Sequence, residues 1–249
     1  MITAIRGHLR LIPDAESDEQ DIWRGLRHKD LRRPVVDFLW KGIHRAHRIG
    51  QFWLKIPGHE DRAVCEWCNE QDSLEHILLQ CSAVGQSTVW DLAKAAWNRK
   101  NSSWVPLKLH DLLAIGPRSR VLMPGKPTAG HLARFWRILI SESAYLIWKL
   151  RCERVIGRSE DNHWQHKTAN VRACWLSTMN SRLRQDATGT SHKFGRLALE
   201  KNLVIKTWEY VIKGEDMIST DWTSQKRVLV GIDPELAREP EPGDHRVPH

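Results

Sequence analysis

The sequence predicts a mainly α-helical protein: a small Cys-Cys-His-Cys module embedded in one helical domain, followed by a helical C-terminal region. Three observations point there. Apolar residues recur at three- and four-residue spacing through much of the chain, the pattern of helices with a buried face. Three cysteines and a histidine crowd into residues 65–81. Hydrophobic residues make up 41% and charged residues 27% of the 249, a balance that supports a packed core and argues against global disorder.

Residues 1–20 end in a polar, acidic stretch and read as a linker, the tail of an upstream domain. A domain over 21–115 follows. Pro34 suits the first turn of a helix, where no amide donor is needed. Val36, Leu39, Trp40 and Ile43 then recur at helical spacing, with Lys41, Arg45 and Arg48 on another face, and Gly50 is the expected stop. Pro57-Gly58 marks a turn. Val89, Leu92, Ala93, Ala96 and Trp97 define one helix beyond the cysteines. Pro117, Pro124, Pro127, Gly116, Gly125 and Gly130 make 116–130 a loop between domains. The 131–232 region opens with a long helix, His131 to Ile156, apolar almost all round, as befits a helix buried on several sides. Two further helices are expected, one marked by Trp164, Val171, Trp175 and Leu183 and a last one by Leu199, Leu203, Trp208 and Val211. The Pro- and charge-rich tail, 233–249, reads as disordered.

Basic residues exceed acidic by 38 to 30, giving a formal charge of +8. The excess is concentrated: Arg24–Lys55 and Arg118–Arg158 each hold nine basic residues against two acidic ones. Such runs are most often solvated helix faces, but they also favour a polyanionic partner. Thirteen Trp against two Tyr and four Phe is an unusual ratio, and core packing explains it better than base-stacking platforms. The most apolar stretch, 135–150, is interrupted by Arg137, Glu142 and Lys149, so no membrane span is expected. An odd cysteine count and no secretory leader suit a reducing compartment, nucleus or cytoplasm, where clustered Cys and His read as metal ligands.

The cluster is Cys65-x2-Cys68, seven residues, His76, four residues, Cys81. Zinc takes four tetrahedral N/S ligands, and a C-x2-C turn offers two thiolates to one side of it. Asp72 and Glu75 fit a capping box that starts a short helix carrying His76. Cys81 lies five residues on, and i and i+5 do not share a face of an α-helix, so that helix must loosen. A rival set, His44 and His47 with the same C-x2-C pair, would leave Cys81 unused, and His59 is also near. With Cys65, Cys68, His76 and Cys81 all engaged, no position is left for water, and the zinc is structural rather than catalytic.

Other chemistry is weak. Gly125-Lys126-Pro127-Thr128 departs from a phosphate loop, with Arg rather than Gly at position 120 and Pro127 displacing the hydroxyl. His163 and His166 could touch one metal, but no cysteine stands beside them and only Asp161 is close by, and Cys152 and Cys174 are most simply buried thiols.

The segments FLWKGIHRAHRIGQFWLKIPGHEDRAVCEWC and EHILLQC, and more loosely SESAYLIWKLRCERVIG, resemble the reverse-transcriptase zinc-binding region downstream of RNase H in non-LTR retrotransposons, fungal versions most of all. The resemblance covers about 21–157. It implies that Cys65, Cys68, His76 and Cys81 are zinc ligands. The polymerase and RNase H that normally precede this region are not in the sequence, and the acidic residues near its start crowd one stretch instead of converging as a two-metal nuclease requires. The expectation is therefore a nucleic-acid-binding module without its own catalytic centre, serving a polymerase or nuclease in trans, with Lys41, Arg45 and Arg48, joined by Arg32 and Arg33, on phosphate. The alternative is a C-terminal fragment of a polyprotein that is active only with its upstream domains.

Overall fold

The computed structural model describes all residues except 102, 123–126, 162–163, 226 and 233–249. It is 62% helical, and among the described residues there is no strand, only two isolated antiparallel bridges, Val64–Gln71 and Ile212–Val230. The helices are α1 (Ile2–Arg10), α2 (Glu19–Leu26), α3 (Arg33–His44), α4 (Gln86–Asn98), α5 (Leu109–Leu113), α6 (Ile115–Arg120), α7 (Gly130–Cys152), α8 (Thr168–Gly189) and α9 (Lys201–Trp208). None of them is long and apolar enough to cross a membrane.

The long helix expected at 131–156 is α7, and α3, α4, α6, α8 and α9 all pack on it. This explains its nearly uniform apolarity: Phe135, Trp136, Ile138, Leu139, Ile140 and Ala144 are each at most 1% exposed on successive sides. Trp97, Trp136, Trp175 and Trp208 are likewise buried, so core packing accounts for much of the tryptophan excess.

Two expected loops are structured. Ile5 and Leu9 of α1 are fully buried and α1 packs against α5, so 1–20 is not a linker. Ile2, Ile5 and Leu9 do keep helical spacing, and the acidic stretch behind them is the connection to α2, whose N-cap Asp18 accepts the Asp21 amide at 2.7 Å. The start of 116–130 is α6, with Pro117 in the first turn, where its missing donor costs nothing. There Gly116 passes so close to Gly25 of α2 that a Cβ on it would lie 2.2 Å from the Gly25 Cα. One hydrophobic core runs from Ile5 to Val230, so 116–130 does not separate two cores. The tail expected to be disordered, 233–249, and the Gly125-Lys126 and His163 positions lie outside the described residues.

Beside α7 the core is ionic. Asp30 accepts from Arg134 Nε at 3.0 Å and from Arg137 Nη2 at 2.6 Å. Asp186 receives a two-pronged bond from Arg134, at 2.7 and 2.8 Å, and the Trp208 indole N–H at 2.8 Å. Glu142 binds Arg32 and lies 3.7 Å from Arg182. Burial alone would raise the Asp30 carboxyl, but the His28 hydrogen bond and the charges of Arg134 and Arg137 outweigh it and hold the group far below the usual carboxylate range. Such a network is costly to break because any member left alone is a buried, unpaired charge. It ties the chain entering α3 to α7 and α8, and α3 in turn leads into the Cys/His module.

Candidate metal centre

The module begins with an abrupt helix end. The expected helix Pro34–Arg48 stops at His44, because Arg45 takes a left-handed conformation (φ 54) and closes α3. Its buried face is Val35, Phe38, Leu39 and Ile43. Trp40, expected there, is 44% exposed and packs on His44 instead. Gly50 is needed after the turn rather than as a helix stop. Its φ is +47, and a Cβ would fall 1.9 Å from the carbonyl oxygen of Asp72.

Residues 63–72 fold back on themselves. Asp72 N–H donates to the Ala63 carbonyl, Cys65 N–H to the Glu70 carbonyl and Asn69 N–H to the Cys65 carbonyl, each at 2.8 Å. The reversal needs positive φ at Asn69 (53), a conformation Asn tolerates better than most residues. This narrow turn presents Cys65 and Cys68 together. Asp72, expected as a helix cap, instead accepts a 2.7 Å bond from Arg151 Nη2 of α7. The cap is Ser73, whose Oγ accepts the His76 amide at 3.0 Å. Serine three residues before the histidine was the sequence signal for it.

The loosening expected before Cys81 is a π-helical turn, His76–Gln80. At ~100° per residue, an α-helix would turn residue i+5 roughly 140° away from residue i. Here the Cys81 amide bonds the His76 carbonyl at 2.7 Å, an i→i+5 closure that returns cysteine to histidine. The Leu78 carbonyl of this turn accepts the Trp90 indole N–H of α4 at 2.6 Å, which ties the turn to the helical core.

Hairpin and turn bring Cys65, Cys68, His76 and Cys81 together, with one ligand atom of each within 4.8 Å of all the others. Cys65 Sγ and Cys68 Sγ lie 3.8 and 3.9 Å from Cys81 Sγ. Bonds of ~2.3 Å to a tetrahedral ion put sulfurs ~3.8 Å apart, so the spacing fits. His76 is 2% exposed, and neither of its ring nitrogens has a hydrogen-bond partner in the protein. Glu70 stands 3.6 Å from Nδ1, beyond hydrogen-bonding range. A buried imidazole with two unsatisfied nitrogens is costly, and a bound ion would satisfy one of them. The Cys81 thiol hydrogen bond draws the Cys65 thiol down to about 4, against burial, and the His76 contact adds to this. Cys81 shifts the other way, because its proton is the one shared with Cys65. Cys68 Sγ also accepts the Ser82 amide at 3.3 Å, a donor suited to thiolate charge. The cluster can therefore hold a metal ion.

The rival histidines are elsewhere. His47 is buried with Nε2 3.0 Å from the Phe38 carbonyl, and His44 is exposed, with its ring between Trp23 and Trp40. His59 lies edge-on to Trp53. Of the basic residues expected on phosphate, Arg32 is committed to buried Glu142, a partner 110 residues away that spacing could not reveal. Lys41 pairs with Asp37 at 2.8 Å one helical turn back. Arg33, Arg45 and Arg48 are exposed, but Arg45 and Arg48 lie beyond the helix and do not share a helical face with Lys41. Arg48 instead reaches a cleft of about 560 Å³ that Cys65 and Cys81 help to line, together with Arg62, Arg151, Arg154 and Arg158. No family model, no curated protein and no solved structure matches the chain.

Proposed function

We propose that the chain is a zinc-stabilised, nucleic-acid-binding module of the kind found in non-LTR retrotransposons downstream of RNase H. In this reading it has no catalytic centre of its own and serves a polymerase or nuclease supplied in trans. The observation that carries the zinc assignment is the Cys3His cluster, whose sulfur spacing fits tetrahedral coordination and whose buried imidazole nitrogens make no hydrogen bond within the protein. Three thiolates and an imidazole are a soft donor set suited to zinc. Cys65, Cys68, His76 and Cys81 would fill all four positions, so the ion would contribute folding free energy rather than activate water. Nucleic acid is favoured as the partner by the +8 charge and by exposed basic residues beside the cluster.

Metal content and nucleic-acid affinity measured on one preparation, purified under reducing conditions, test the reading. We expect one zinc per chain, and Cys81→Ser should lose it together with the fold of 60–85, since structural zinc supplies ~10–16 kcal/mol in small zinc modules. Metal-free protein that is fully folded by circular dichroism would overturn the zinc assignment. Zinc-loaded protein that binds no nucleic acid at low salt would overturn the partner.

A further inference from the structure

The two basic runs of the sequence are far apart along the chain, yet their ends meet in the cleft beside the Cys/His cluster. Arg48 comes from the first run, Arg151, Arg154 and Arg158 from the second, and Arg62 from the segment between them.

The arginines of this molecule are held in two different ways. Buried Arg118, Arg134, Arg137 and Arg182, and half-buried Arg32, are bound to carboxylates. Those of the cleft lie mostly over rings: Arg48 is 5.7 Å from the centroid of Phe52, Arg62 5.1 Å from Trp53 and Arg158 5.2 Å from Trp164. Among the described residues, neither these three nor Arg154 forms an ion pair with a carboxylate. Arg151 is held both ways, through Asp72 and over Trp148 at 5.7 Å, and its buried Nε has no hydrogen-bond partner. An aromatic ring orients a guanidinium while leaving its five donors available, whereas a carboxylate occupies two of them. Arg48, Arg62 and Arg158 are thus pre-aimed and still able to grip an oxyanion in bidentate fashion, and Arg154 lines the cleft beside them.

The rest of the cleft decides which anion. Asp61, Glu66 and Asp161 also line it, so its field is mixed, and a rigid polyanion would gain little from bulk attraction. A volume near 560 Å³ belongs to the range of small-ligand sites, enough for a nucleotide or two of a flexible strand but not for the flank of a duplex. Trp67 and Ile156 add apolar surface, with Ile156 67% exposed, and unstacked bases need such faces. We propose that this cleft seats a single-stranded segment of nucleic acid, its phosphates held by Arg48, Arg62, Arg154 and Arg158 and its bases against Trp67 and Ile156. The proposal rests on the nucleic-acid reading above and narrows it to one strand type and one place.

The test is fluorescence anisotropy on the full, zinc-loaded chain across a salt series, with a short single-stranded RNA, the matching single-stranded DNA and a duplex. Wild type should bind single strands more tightly than duplex. Arg48→Ala/Arg62→Ala and Arg154→Ala/Arg158→Ala should each weaken single-strand binding at least about tenfold, as loss of charge-assisted bonds implies. Each should make the log–log salt slope shallower by about 0.7 per lost contact. Arg33→Ala/Arg45→Ala, exposed but outside the cleft, should change neither. Zinc content and circular dichroism of every variant separate lost binding from lost folding, and Arg154→Gln alone serves if a double variant fails to fold. If wild type binds but only Arg33→Ala/Arg45→Ala weakens it, the cleft is wrong and the nucleic-acid reading survives. If zinc-loaded wild type binds no nucleic acid, both fall. Tighter binding of duplex, or equal competition by polyglutamate of matched charge, would also overturn the proposal.

Discussion

Replacing Gly50 with alanine should damage the metal site without touching a ligand. The added Cβ would sit 1.9 Å from the Asp72 carbonyl oxygen and 3.1 Å from its carbon, so that peptide group must retreat by more than about 1 Å to reach ordinary contact. It has little room to do so. The Asp72 amide is tied to Ala63 at 2.8 Å and its carboxylate to Arg151 at 2.7 Å. Holding alanine at φ +47 costs about 1–2 kcal/mol, and forcing a packed neighbour aside costs about 1–3 kcal/mol more. The sum, about 2–5 kcal/mol, corresponds to a melting temperature lower by roughly 4–20 °C for a chain of this size. Because the displaced carbonyl belongs to Asp72, whose own amide closes the hairpin that carries Cys65 and Cys68, zinc affinity should fall at least about tenfold, metal–ligand distances tolerating only ~0.2 Å. Gly58→Ala is the matched control: its φ is +80, but nothing lies within 4 Å of the added carbon, so it bears the conformational cost alone. Zinc competition against a chromophoric chelator, with thermal melts of the zinc-loaded protein, reads both effects. If Gly50→Ala and Gly58→Ala behave alike in both assays, the close approach of the two chain segments is not what positions the cysteines.

Asp30→Asn should lower stability by about 3–5 kcal/mol, since Arg134 and Arg137 lose the shared carboxylate in the buried network. The melting temperature should drop by roughly 6–20 °C, and a change under about 3 °C would refute the argument. Because the folded carboxyl titrates below its unfolded value, its contribution is present above about pH 4 and is lost as acid protonates it, so wild type and variant should converge there. Burial lowers the Lys100 ammonium to about 8, against the pull of Glu209 and Glu215. Between that value and its ordinary one the unfolded chain holds more protons than the folded one, so stability should rise from pH 8 to 10 in wild type but not in Lys100→Met. Parallel pH–stability curves from urea melts would contradict this. Gly116→Ala should destabilise by about 1–3 kcal/mol, because its Cβ would meet the backbone of α2 instead of a side chain that could rotate away. Denaturation matching wild type would show that α2 and α6 can separate freely.

What could be read from the sequence was local. The four candidate ligands stand within seventeen residues, and the fifth-residue step from His76 to Cys81 signalled by itself that an α-helix could not serve. The long apolar run of α7 announced a helix surrounded on all sides. What could not be read depended on partners far along the chain. Arg32 looked like its neighbours until buried Glu142, 110 residues on, engaged its guanidinium. Arg48 and Arg154 belonged to separate charge runs until the fold placed them in one cleft. The α1 helix is not legible locally, because three apolar residues in a short segment matter only once α5 is there to cover them.

The turn from His76 to Cys81 has a consequence for how this part of the chain can change. An i→i+5 closure is a gauge of length: delete one residue between His76 and Cys81 and the same cysteine amide would have to close an ordinary i→i+4 turn, which shortens the segment and changes the bearing of the thiol relative to the imidazole. Side-chain identity is a separate matter, since Gln80 faces solvent while Ile77 and Leu78 are enclosed. The segment should therefore accept a new residue at 80 far more readily than a missing one anywhere between 77 and 80. Its tolerance is for spelling, not for count.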